Sequence, residues 1–261
     1  MSTFLTQQPF CEYYTNDQQL PELSNSITSL AYTIISIIIW KFSHVPMIYT
    51  GKLLIVLLFL LGVSSFMFHY TLWNIMGNMD VLFTLSVSYF GTFLCVESLL
   101  YYFLHEPYKS HFTIFSLLII CGAYLLSIGI WFLPGGGIYQ FYELVALPQV
   151  FVLISILIIN FCYYLNIFQN NFYILKSIVY ANIGTFILLS VAIIPIIVGK
   201  QCENIHFNTH ALWHVGSAYG IYLLIQSFIF IRLLYHTNGN VSFERNGLIG
   251  YIFPCIKYYK Y

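Results

Sequence analysis

The chain is short of charge. Only 7% of its 261 residues are Asp, Glu, Lys or Arg, while 59% are hydrophobic. A soluble globular chain carries about 25% charged residues. This one cannot cover its surface with solvated groups, which excludes water-soluble α/β and all-β folds. Neither sign of charge dominates, with nine basic and nine acidic residues. A basic tract is missing, and with it the electrostatic footprint of a nucleic-acid binder. Low-complexity segments and internal repeats are missing too. The first 20 residues lack a basic n-region and an apolar core, so no cleavable signal peptide is expected. Polar and apolar residues do not alternate over runs of about 10, as they do in a transmembrane β-barrel. The six cysteines form no disulfide framework. Cys95, Cys121 and Cys162 lie within apolar runs and read as small buried hydrophobes. Cys11 and Cys202 fall outside the spans on one side and are a candidate disulfide.

What the chain has in abundance is long apolar runs. About 20 apolar residues cross the hydrocarbon core of a bilayer. Seven spans can be counted: Ile27–Trp40, Leu53–Thr71, Met79–Phe103, Phe112–Leu133, Phe141–Leu165, Phe172–Val198 and Ala211–Tyr235. The first is short, and a polar-lined face draws its start back to near Leu23. In lipid the backbone must satisfy its own polar groups, so the spans are helices. The expected fold is all-α, a polytopic membrane protein with a seven-helix bundle over residues 23–236. A polar amino-terminal segment, 1–22, precedes the bundle, and a carboxy-terminal tail, 237–261, follows it. Pro148 and Pro195 fall inside spans as candidate kinks. Seven spans put the termini on opposite sides. Of the nine Lys and Arg residues only Lys200 falls on the amino-terminal side. The positive-inside rule then places the carboxy terminus in the cytosol.

Polar residues gather at one depth. Ser65 and His69, four apart, share a helix face near the end of the second span. Asp80 opens the third span. His210 and His214, also four apart, open the seventh. Span counting brings these three places to the amino-terminal side of the membrane. Three neutral imidazoles suit zinc, and a catalytic zinc keeps a position for water. Asp80 then orients that water and takes its proton, and Ser65 is placed to hydrogen-bond the developing oxyanion. The set suits metal-assisted hydrolysis of a lipid carbonyl. The plainer alternative is that the histidines bond carbonyls or serines across helix interfaces. Asp80 weighs against it, because an ionisable residue inside a membrane bundle is costly and marks function by default. His206 lies off the face of His210 and is left out of the ligand set. Glu97 and Glu143 are expected to pair with Tyr, Asn or Lys inside the bundle.

The residues at these positions resemble the alkaline ceramidases. Gly62, Ser65, Phe68-His69, Thr71-Leu72 and Asp80 are similar to the family's first signature. His210-Ala-Leu-Trp-His214, with Gly220 and Tyr222, is similar to its last. Cys11-Glu12 and Glu22-Leu-Ser-Asn-Ser resemble its amino-terminal segment. The resemblance spans nearly the whole chain and extends to the wider superfamily that includes the adiponectin and progestin receptors. It implies a zinc amidohydrolase, in an endoplasmic reticulum or Golgi membrane, that cuts ceramide into a sphingoid base and a fatty acid. His69, His210 and His214 would hold zinc, Asp80 would position and deprotonate water, and Ser65 would steady the oxyanion. It also implies a calcium site near the amino terminus, of which Glu12 and Glu22 remain as candidate ligands, with Asp17 and Asn25 as candidate substitutes.

The chain departs from the family at several points. Val81 stands where relatives follow the aspartate with Glu. Pro9-Phe10 replaces the leading Asp-Trp of the calcium loop, Tyr14 replaces an Asn, and the spacing to Glu22 is one residue shorter. Calcium prefers six to eight oxygen ligands, and an acidic, solvated loop is the alternative reading. Two other functions compete with hydrolysis. One is a lipid-responsive receptor with structural zinc, for which the loops and tail offer little docking surface. The other is a transporter, which favours paired broken helices near the midplane; the sequence shows no such pairing.

Overall fold

Each apolar run closes its own backbone hydrogen bonds and becomes a helix, since lipid offers no other partner. The structure, a computed structural model, describes residues 22–42, 49–104, 108–133, 138–165, 172–198, 209–236, 241–244 and 253–258. Its helices are α1 (Leu23–Phe42), α2 (Tyr49–Thr71), α3 (Asn74–Phe103), α4 (Tyr108–Trp131), α5 (Ile138–Tyr164), α6 (Phe172–Val198) and α7 (Thr209–His236). All seven are long and apolar enough to cross a membrane. The chain is an all-α polytopic membrane protein built as a seven-helix bundle. Span six matches its sequence-based limits at both ends. Most others gain about a turn, as at Asn74–Asn78, because helical hydrogen bonding continues past the point where hydropathy falls.

The bundle is built around α7, which packs on α6, α1 and α3 and is buried along most of its length. At the other extreme α4 turns Phe115, Leu118, Leu125 and Leu126 outward. Exposed apolar side chains of this kind face lipid rather than water. Lipid tails are as apolar as leucine, so helices associate by close packing and not by a hydrophobic drive. Two seams show this. A Cβ at Gly62 of α2 would collide with Thr33 of α1. Gly184 of α6 and Gly220 of α7 face one another, and a Cβ on either would stand 2.8–2.9 Å from the other's carbonyl oxygen. Pro148 lies inside α5, and its carbonyl accepts the Thr92 hydroxyl of α3 at 3.0 Å.

Helices α2 and α3 are joined by Leu72 and Trp73 alone. The turn is tight enough to hold Leu72 at φ 56°, a left-handed conformation that costs a branched residue about 1–2 kcal/mol. The Leu72 amide donates to Phe68 O at 2.6 Å, and the Trp73 amide donates to the Thr71 hydroxyl at 3.3 Å.

Beyond α7 the segment read as a tail contains two short strands, β1 (Val241–Glu244) and β2 (Cys255–Tyr258), paired antiparallel. Phe243 and Ile256 face each other in the register, and both are buried. The Phe243 ring stacks on Phe230 of α7 at 4.4 Å, and the Tyr222 hydroxyl donates to Pro254 O at 2.9 Å. This part of the tail folds back on α7. Four-residue strands are too short for alternation to stand out in the sequence.

Glu97 does not pair with Tyr, Asn or Lys as expected. Its partner is Arg232, with Nη1 2.6 Å from Oε1. The face of α7 that carries Arg232 turns inward against α3. Residues 1–21, including Cys11, Glu12 and Asp17, lie outside the described residues, as do Cys202, His206 and the Glu143 side chain.

Candidate metal centre

Three helix termini meet at one end of the bundle. His69 stands on the last turn of α2, with Ser65 one turn earlier. Asp80 stands on the second turn of α3, and His210 and His214 on the first two turns of α7. The long apolar bodies of these helices set the depth of their ends. Alternating chain direction brings the end of α2 level with the starts of α3 and α7. The three imidazoles, read from the sequence as one set, are brought into contact.

His69 is fully buried and His214 nearly so. His210 Nε2 lies 3.2 Å from His69 Nε2, and His214 Nε2 lies 3.3 Å from it. A single imidazole nitrogen has one lone pair or one hydrogen, so it cannot satisfy two neighbouring ring nitrogens at once. A metal ion does satisfy them. In a tetrahedral site with metal–nitrogen bonds of about 2.0–2.1 Å, neighbouring ligand nitrogens stand about 3.3–3.4 Å apart. The donor set therefore fits a small tetrahedral ion. Among the described residues this is the one group of His, Cys, Asp or Glu side chains able to hold a metal.

Asp80 and Ser65 stand beside the triad. Ser65 and His69 both lie within electrostatic reach of the Asp80 carboxylate. Ser65 is fully buried and its Oγ is also 3.0 Å from Ser29 Oγ.

Helix α1 contributes more than the sequence reading allotted it. Glu22, Asn25, Ser26, Ser29 and Ser36 form a buried polar stripe down one face, at the i, i+3, i+4, i+7 spacing of a helix. Glu22 and Asn25, read as candidate calcium ligands, point into the histidine cluster. Glu22 Oε2 lies 2.6 Å from His69 Nδ1, and Asn25 Nδ2 donates to the same oxygen at 3.1 Å. The other two candidates, Glu12 and Asp17, lie outside the described residues. Tyr32, two turns farther along the α1 stripe, was not singled out at all. Its ring stands edge-on to His214 at 5.9 Å, its hydroxyl bonds Ser217, and it is close enough to Asp80 to feel its charge. The stripe spacing was the available signal, because a run of polar residues repeating at 3 and 4 in an apolar helix marks an inward face.

Farther along the same helices lies an apolar cavity lined by Leu54, Val87, Gly91, Pro148, Val152 and Leu224, with Thr92 and Gln149 at its wall. Gly91 follows Asp80 by eleven residues, which places the cavity about 16 Å deeper in the bundle. No protein-family model matches the chain, and no curated protein matches it.

Proposed function

We propose that the chain is a membrane-embedded zinc-dependent amide hydrolase whose substrate is ceramide or a related N-acyl sphingoid lipid. The convergence of three imidazole Nε2 atoms beside a carboxylate and a hydroxyl carries the reading. His69, His210 and His214 are the zinc ligands. Zinc held by them would acidify a water toward a pKa of about 7 and polarise the substrate carbonyl.

The remaining roles belong to the chain's own groups. Asp80 accepts a proton from the attacking water and passes it to the leaving amine, so the products are a carboxylic acid and a free amine. The Ser65 hydroxyl, bonded to Ser29 at rest, turns its one hydrogen to the carbonyl oxygen as negative charge develops there. Substrate class comes from the likeness of these residues to the alkaline ceramidases. The site sits at a bundle end, where a lipid headgroup can reach it without crossing the membrane. On the same reading the site faces the lumen of the endoplasmic reticulum or Golgi, and the carboxy terminus faces the cytosol.

The test uses the full chain purified in detergent. It is expected to carry one zinc by mass spectrometry and to release free fatty acid from one or more of ceramide, dihydroceramide and phytoceramide. His214→Ala is expected to lose both the zinc and the release. Full hydrolysis by that variant would sink the proposal.

A further inference from the structure

Glu22 is held to His69 at two points. Its backbone N–H donates to His69 O at 2.9 Å, and its carboxylate Oε2 lies 2.6 Å from the His69 ring at Nδ1. The residue is itself locked. The Ser26 amide and the Ser26 hydroxyl both donate to Glu22 O at 2.8 Å, fastening it to the first turn of α1. Glu22 is 4% exposed and His69 is 0% exposed, so water competes for neither group. Oε2 also accepts the Asn25 side-chain amide, and an ionised carboxylate has no hydrogen to give. Nδ1 of His69 must then be the donor. In a neutral imidazole only one nitrogen carries hydrogen, so Nε2 presents its lone pair, and Nε2 is the atom that faces His210 and His214. His214 differs: its Nδ1 has no hydrogen-bond partner among the described residues.

We infer that Glu22 is a positioning residue for the metal centre, which fixes the His69 ring and tautomer so that Nε2 is aimed at the metal before it binds. The inference rests on the metal reading of the site given above, but not on hydrolysis. It assigns Glu22 a role toward the histidine cluster rather than toward calcium. It also makes the first turn of α1 part of the site, forty-seven residues from the ligand it orients. Removing an outer partner of a metal-bound histidine lowers metal affinity about 10- to 100-fold.

The experiment measures zinc affinity of the full chain in detergent by competition with a chelating indicator, for wild type, Glu22→Ala and Glu22→Gln. Glu22→Ala removes the acceptor and is expected to weaken zinc binding toward 100-fold. Glu22→Gln keeps a neutral acceptor of the same size and is expected to weaken it about 10-fold. The visible spectrum of the cobalt-loaded chain gives a second readout, expected to change in Glu22→Ala as the ligand geometry loosens. A role in helix packing alone would lower melting temperature without shifting either readout. Should Glu22→Ala not fold, the isosteric Glu22→Gln decides. Zinc affinity equal to wild type in the folded variants overturns the inference. A wild-type chain that binds zinc but cleaves no amide overturns the proposed function and leaves this inference standing. A wild-type chain that binds no zinc overturns both.

Discussion

Helices α3 and α7 run side by side in the same direction and carry a buried polar cluster at each end. At one end Asp80 and His214 join His69 and His210. At the other Glu97 meets Arg232. Glu97 lies seventeen residues after Asp80, and Arg232 eighteen after His214, so the clusters stand about 26 Å apart. They solve the cost of burying polar groups in different ways. Arg232 and Glu97 neutralise each other at 2.6 Å, and the guanidinium lies over the Tyr101 ring at 4.0 Å. The charges of that pair cancel, although Glu97 Oε2 and Arg232 Nε find no hydrogen-bond partner among the described residues. The three Nε2 atoms, by contrast, converge on a common point that no proton arrangement can satisfy. A closed ion pair reads as structure; convergent donors read as a place for a ligand.

Substitutions that separate the clusters sharpen this contrast. The largest effect is expected for Asp80→Asn, which should lower amide hydrolysis by about 10²- to 10⁴-fold while the chain still holds zinc. Steady-state hydrolysis alongside metal analysis checks it, and loss of zinc in that variant would move Asp80 from proton transfer to metal retention. At the other end Glu97→Gln leaves Arg232 buried without its counter-charge. It should cost about 3–5 kcal/mol of stability, seen as a lower melting temperature in detergent, with zinc affinity unchanged in the folded fraction. Replacing both Glu97 and Arg232 by Met should recover much of that loss, because an apolar pair of similar volume leaves no charge stranded. The smallest effect is expected at the turn that sets His69 against Asp80. Leu72→Gly relieves the positive φ and should raise stability by about 1 kcal/mol. A fall in stability would show that the Leu72 side chain contributes more by packing than its backbone costs.

Much of this is legible in the sequence. Seven apolar runs of bilayer length leave no fold other than a helix bundle. Counting them places His69, Asp80, His210 and His214 at one depth whatever the packing details. The Ser65 and His69 face follows from four-residue spacing alone. The Glu97 partner was not legible. Pairing across a bundle depends on how far α7 is rotated about its axis, and an apolar helix buried on nearly all sides has no polar face to reveal that rotation. The carboxy-terminal hairpin was hidden for another reason, since Phe243 and Ile256 acquire an inward direction only once α7 is there to receive them.

The sequence by itself determined the membrane class, the helix count and the depth of the polar residues. Those follow from composition and from the fixed rise of a helix set against the fixed thickness of a bilayer. Tertiary structure decided which atoms meet. The residues at the start of α1 name Glu22 and Asn25 as polar, and the sequence offered them as calcium ligands, Glu22 by resemblance and Asn25 as a substitute. Only the packing of α1 against α2 brings Glu22 Oε2 to within 2.6 Å of His69 Nδ1. Hydrogen-bond partners lie far apart in the chain, and their meeting is set by interlocking side chains across helix seams, which no local pattern encodes.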